Sequence, residues 1–123
     1  MKKILFIEDE PSLQKTLGDI LRENGYEVIN ALNGEIGLRL AQSEKPDIIL
    51  LDIILPKMNG LEVLEILKNN EETKNIPVIV LTNLESMEDI NKAIELGAVA
   101  YLVKAEYSME EVIDKIEKAL NSY

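Results

Sequence analysis

The chain has 123 residues, 46% hydrophobic and 29% charged, and a net charge of −10 from 13 Lys plus Arg against 23 Asp plus Glu. That is one domain with enough apolar content for a core, while the negative charge argues against direct nucleic-acid binding, and no run reaches the roughly 18 apolar residues of a membrane span. Cysteine and histidine are both absent, which excludes disulfides, thiol chemistry, the usual general base and the usual transition-metal ligand, and leaves hard cations held by oxygen.

Ile4–Ile7 is a continuous apolar run, the pattern of a strand buried on both faces. It is too short for the core of a signal peptide. It ends in Glu8-Asp9-Glu10, and Pro11 suits the first turn of a helix. Leu13, Leu17, Ile20 and Leu21 give that helix an apolar face, and Gly25 suits the left-handed residue beyond its end. The second run, Val28–Ala31, leads to a helix with Ile36, Leu40 and Ala41 on its inner side.

The third run is the most informative. Ile48 to Leu55 is aliphatic throughout except for Asp52. A carboxylate there is costly unless it is paired or coordinated. Pro56 and Gly60 then mark a tight turn. Leu61, Leu64 and Leu67 predict a third helix, and the polar stretch Asn69–Pro77 a loop. Val78–Leu81 is the fourth strand. Ser86 caps a fourth helix carrying Ile90, Ala93 and Ile94, with Gly97 after it. Ala100–Val103 is the fifth strand. Ser108 and Glu111 form a capping box for the last helix, whose stripe is Met109, Val112, Ile113, Ile116, Ala119 and Leu120.

Strict alternation of strand and helix predicts an α/β fold: a five-stranded parallel sheet, doubly wound, in the order 2-1-3-4-5. One domain covers residues 1–123, with no repeat and no output domain in this chain. Strands 1 and 3 then meet at the switch point, where ligands bind beyond the C-terminal strand ends. The polar residues at those ends are Glu8 and Asp9, Asp52, Thr82 and Lys104. Strand 2 ends in Ala31-Leu32 and offers none.

Three close carboxylates repel one another, and a divalent oxygen-seeking cation relieves the repulsion. One carboxylate can attack phosphorus, while Lys104 and Thr82 supply donors to phosphoryl oxygens. Each residue also has a plainer reading. Glu8 and Asp9 suit a helix N-terminus, Lys104 a solvated loop, Thr82 an ordinary strand, and Tyr101 an edge strand packed on helix 4 or 5.

Taken in order, Ile7-Glu8-Asp9-Glu10, Asp52-Ile-Ile-Leu-Pro56-Lys-Met-Asn-Gly60, Leu81-Thr82 and Gly97-Ala-Val-Ala-Tyr101-Leu-Val-Lys104 resemble the receiver domain of two-component response regulators over nearly the full length. The resemblance implies a flavodoxin-like receiver fold. It implies Asp52 as phosphoacceptor and a Mg²⁺ (or Mn²⁺) site from Glu8, Asp9, Asp52 and the backbone carbonyl of Ile54. Lys104 then contacts the phosphoryl group, Thr82 is the switch hydroxyl and Tyr101 the aromatic that moves with it. A histidine kinase or histidine phosphotransfer protein is the implied donor, in the cytoplasm, with no membrane or nucleic-acid partner. The chain is a signalling switch, catalysing only its own phosphorylation and dephosphorylation. Its output surface is helix 4, strand 5 and helix 5, with Met87, Asn91, Glu95, Tyr101, Glu106 and Lys115, open to a downstream protein or to dimerisation.

The chain departs from the family pattern in places. Ala105 stands where proline is usual, which predicts a trans Lys104–Ala105 bond and a shifted loop, because a cis non-proline bond costs about 3–4 kcal/mol. Glu106 replaces a common aromatic, and Asn83 a small residue. Ile54 and Leu84 stand where side chains border the attacking water; both are aliphatic, which predicts slow self-dephosphorylation. Two other functions compete. One is a receiver-fold interaction module that is never phosphorylated. The other is a small phosphohydrolase, which needs a second acid where Ile54 stands.

Overall fold

The computed structural model describes residues 1–83 and 86–121, with only the backbone at residue 105. The strands are β1 (Lys3–Ile7), β2 (Glu27–Ala31), β3 (Ile48–Leu51), β4 (Val78–Thr82) and β5 (Ala100–Val103). The helices are α1 (Pro11–Glu23), α2 (Gly34–Glu44), α3 (Gly60–Lys68), α4 (Met87–Glu95) and α5 (Met109–Asn121). A 3-10 turn, Lys104–Glu106, leaves β5. All neighbouring strands are parallel, and the order is β2-β1-β3-β4-β5 as predicted.

Strand periodicity divides the core into two layers. Leu5, Ile7, Ile49, Leu51, Val78 and Val80 point to the face covered by α2, α3 and α4. Ile4, Phe6, Ile48, Leu50, Ile79, Leu81 and Leu102 point to the face covered by α1 and α5. With apolar side chains needed on both faces, the strands read as unbroken aliphatic runs. Register aligns their upper ends: Ile7 opposes Leu51, Leu51 opposes Val80, and Thr82 opposes Val103. The ladder continues one residue further, through Glu8 N–H to Ala31 C=O at 2.9 Å and Asp52 N–H to Ile7 C=O at 3.0 Å.

Most helix faces follow the sequence pattern, and two differ. In α3 Leu64 and Leu67 are buried as expected, but Val63 is buried with them, while Leu61 is only half-buried. In α4 Ala93 alone is buried, and Ile94, about 100° further round, is 49% exposed. Both caps form as expected. Ser86 Oγ accepts from Asp89 N–H at 3.4 Å, and Ser108 and Glu111 make the reciprocal box at 3.3 and 3.4 Å. No cis peptide occurs among the described residues, in keeping with the trans bond expected after Lys104. No helix among the described residues is long and apolar enough to cross a membrane.

Candidate phosphoacceptor and metal site

Glu8 and Asp52 each follow the last residue of a buried strand, which carries them beyond the sheet edge side by side. Asp52 is 5% exposed and Glu8 1%. Between them lies the Lys104 ammonium, 2.5 Å from Glu8 Oε1 and 3.1 Å from Asp52 Oδ2. The second oxygens are also engaged: Glu8 Oε2 accepts from Glu10 N–H at 3.1 Å, and Asp52 Oδ1 from Ile54 N–H at 3.2 Å. Asp9 is exposed, yet a carboxylate oxygen of each of Glu8, Asp9 and Asp52 lies within 4.8 Å of the others.

Gly60 makes this presentation of Asp52 possible. It donates to Ile53 C=O at 2.7 Å, and a Cβ there would lie 2.2 Å from the Asp52 carbonyl oxygen. Only glycine lets α3 begin so close to the strand that carries the acid.

Electrostatics follow from burial. Desolvation pushes the Glu8 carboxyl from 4.5 up to about 7; the Lys104 hydrogen bond opposes this and the Asp52 charge adds to it. For Lys104 burial acts downward, but the Glu8 hydrogen bond and the Asp52 charge outweigh it and hold the ammonium above its ordinary value. A single lysine therefore balances two buried acids, and Asp9 adds a third carboxylate without an ion-pair partner among the described residues. Three oxygen donors, one of them exposed, fit a hard divalent ion such as Mg²⁺ or Mn²⁺.

Thr82 is the other notable group. Its Oγ1 is fully buried and has no hydrogen-bond partner among the described residues. Buried hydroxyls are rarely left so, because an unmet donor costs about 1–3 kcal/mol. It is the last residue of β4, opposite Val103, the residue before Lys104.

The structure thus brings Glu8, Asp9, Asp52 and Lys104 together and leaves Thr82, at the end of the adjoining strand, with a donor unused among the described residues. The plainer reading of Glu8 and Asp9 fits less well: α1 starts at Pro11, after both, and Glu8 is paired with Lys104. Ile54 is 56% exposed beside Asp52, whereas Leu84 lies outside the described residues. Tyr101 is half-buried against α4-side core residues. Burial, then Asp89 and Asp52, raise its phenol pKa. Met87, Asn91 and Glu95 recur every fourth residue on α4 and are exposed, as is Glu106, while Lys115 is half-buried. Asn91 and Glu95 also line a groove against Leu61 of α3.

Two buried polar residues escaped the sequence reading: Thr73, whose hydroxyl donates to Leu67 C=O at 2.7 Å after α3, and, beside the site, Gln14. Gln14 is 4% exposed, and its amide nitrogen lies 2.6 Å from the Glu8 carbonyl, 2.9 Å from that of Ala31 and 3.4 Å from that of Phe6. For Gln14 the signal was present: Gln14, Leu17, Gly18 and Leu21 follow the i, i+3, i+4, i+7 phase of the buried face.

Comparison with known proteins agrees with this geometry. A family model described as the response regulator receiver domain matches residues 4–117. The polar-differentiation response regulator DivK of Brucella anthropi is 36% identical, the match covering 97% of this chain and 96% of that protein. A CheY-like receiver domain protein from Methanospirillum hungatei superposes with a TM-score of 0.93 at 30% identity, covering 99% and 95%. The Mn²⁺-bound form of the response regulator Rcp1 gives 0.83 at 31% identity, covering 96% and 93%. The chain spans about half the length of other curated relatives that it matches, 49% and 48% in two transcriptional regulators.

Proposed function

The chain belongs to the response regulator receiver domain family, and from that premise we propose that it is a phosphorylation-controlled switch with Asp52 as phosphoacceptor. The observation that carries the reading is the convergence of three carboxylates and one lysine at a single sheet edge. The donor is a phosphohistidine on a histidine kinase or histidine phosphotransfer protein, since this chain has no histidine.

An Asp52 oxygen attacks phosphorus, the phosphorus–nitrogen bond breaks, and its electron pair leaves with the donor imidazole, which takes up a proton. Glu8, Asp9, Asp52 and the Ile54 carbonyl would hold Mg²⁺ or Mn²⁺, which supplies charge neutralisation for the phosphoryl oxygens. Lys104 is already within hydrogen-bond reach of Asp52 and shifts from carboxylate to phosphoryl oxygen. Thr82 finds in that oxygen the acceptor its buried hydroxyl lacks among the described residues. Its movement carries the segment after β4, Tyr101 follows, and the α4, β5 and α5 surface changes its preference for a downstream protein or a second copy.

The test is the intact mass after incubation with acetyl phosphate and Mg²⁺, with and without EDTA. One phosphoryl group should be gained with metal only, and Asp52→Asn should abolish the gain while the protein stays folded. Labelling retained in Asp52→Asn would move the acceptor elsewhere. No gain with acetyl phosphate and no response to beryllofluoride would leave a receiver-fold interaction module.

A further inference from the structure

We infer that Gln14 is a positioning residue for the metal site, fixing the backbone that presents Asp9 without touching its carboxylate. The inference rests on Asp9 being a metal ligand. Asp9 is exposed, on a segment between the end of β1 and the start of α1. Its side chain has no burial to hold it, so its direction depends on the two peptide planes that flank it.

Both planes are anchored. The carbonyl of the Glu8–Asp9 peptide receives the Gln14 amide at 2.6 Å. The N–H of the Asp9–Glu10 peptide donates to Glu8 Oε2 at 3.1 Å. The first anchor comes from a side chain on α1, and the second from the site itself. Gln14 also grips Ala31 C=O at 2.9 Å, the same oxygen that accepts from Glu8 N–H. One amide therefore ties the acidic segment to the end of β2, a strand that contributes no ligand. Three surrounding carbonyls require the nitrogen, not the oxygen, to point inward. An apolar residue would suit this buried face of α1 equally well for packing, so the amide needs a separate reason.

The experiment compares wild type with Gln14→Met, which keeps length and volume but removes the donor. Mg²⁺ is titrated into each folded protein and followed by amide NMR shifts. Acetyl phosphate labelling is then timed across the same Mg²⁺ range. The Mg²⁺ midpoint should rise about tenfold, the low end of what loss of an outer-shell partner does. The labelling rate at saturating Mg²⁺ should stay near wild type, because the reacting groups are untouched. Gln14→Asn, whose donor is one methylene short, should shift the midpoint the same way.

An unmoved midpoint in either folded variant overturns the inference, as does a plateau rate that falls while the midpoint holds. A wild-type Gln14 side-chain amide in rapid exchange with solvent would also overturn it, without any variant. Wild-type protein that fails to bind Mg²⁺ would instead strike the reading of the metal site, and this inference with it.

Discussion

Lys104 faces two buried carboxylates, and the balance among the three groups has consequences that can be measured without phosphate. The folded-state pKa of Glu8, about 7, lies above its ordinary 4.5. Folding therefore favours the protonated acid. The contribution is fully present below about pH 4.5 and is lost as pH rises through 7. Lys104 is also raised, so its contribution persists until well above this window. In EDTA the melting temperature of wild type should thus fall relative to Glu8→Gln between pH 5 and 8. Parallel curves would mean that Glu8 is ionised throughout. Ile54 poses a separate question at the same scale. It is aliphatic and 56% exposed beside Asp52, and it can neither orient nor activate a water. Ile54→Asn should shorten the life of the aspartyl phosphate several-fold, read as decay of the labelled mass. An unchanged decay would place the control of hydrolysis elsewhere.

Between β3 and α3, the turn after Asp52 is set by contact distance rather than by side-chain chemistry. A methyl group at position 60 would meet the Asp52 carbonyl at 2.2 Å and the Ile53 Cα at 2.6 Å, both backbone. Gly60→Ala should therefore destabilise the protein by at least the roughly 1–3 kcal/mol typical of overpacking. It should also slow labelling, because relief of the clash must shift the strand end that carries Asp52. Chemical denaturation and timed acetyl phosphate labelling check the two effects. Normal labelling in a folded Gly60→Ala protein would show that the turn absorbs the methyl without moving the acid. Sequence pattern served well at this scale wherever a helix has one wide apolar face, as in α1 and α5. It served less well for the nine-residue helices α3 and α4. There, two turns give few repeats, and a half-buried Leu61 cannot be told from a buried Val63 by spacing alone.

Across the whole molecule, the proposed switch requires phosphorylation to reach a surface that the acidic site does not touch. Thr82 and Tyr101 sit on neighbouring strands, with Thr82 opposite Val103 and Tyr101 opposite Val80. On the proposed mechanism, a shift at the end of β4 would pass to an edge strand that has α4 beside it. Beryllofluoride with Mg²⁺ should move amide resonances at Met87, Asn91, Glu95, Tyr101, Glu106 and Lys115 as well as those at the strand ends. Changes confined to the strand ends would leave the output surface static.

The sequence alone determined the alternation of strands and helices, the two-faced burial of the sheet and the polar residues at its upper edge. These are local facts: side-chain period is a property of a few consecutive residues, and an acid in an aliphatic run is visible without any partner. Which groups meet was decided only by the tertiary structure. Glu8 pairs with a lysine 96 residues away, Thr82 ends with no acceptor among the described residues, and Gln14 reaches carbonyls of two strands, Phe6 and Ala31. Each of these depends on strand order and register, and those are fixed by the packing of all five helices against the sheet at once.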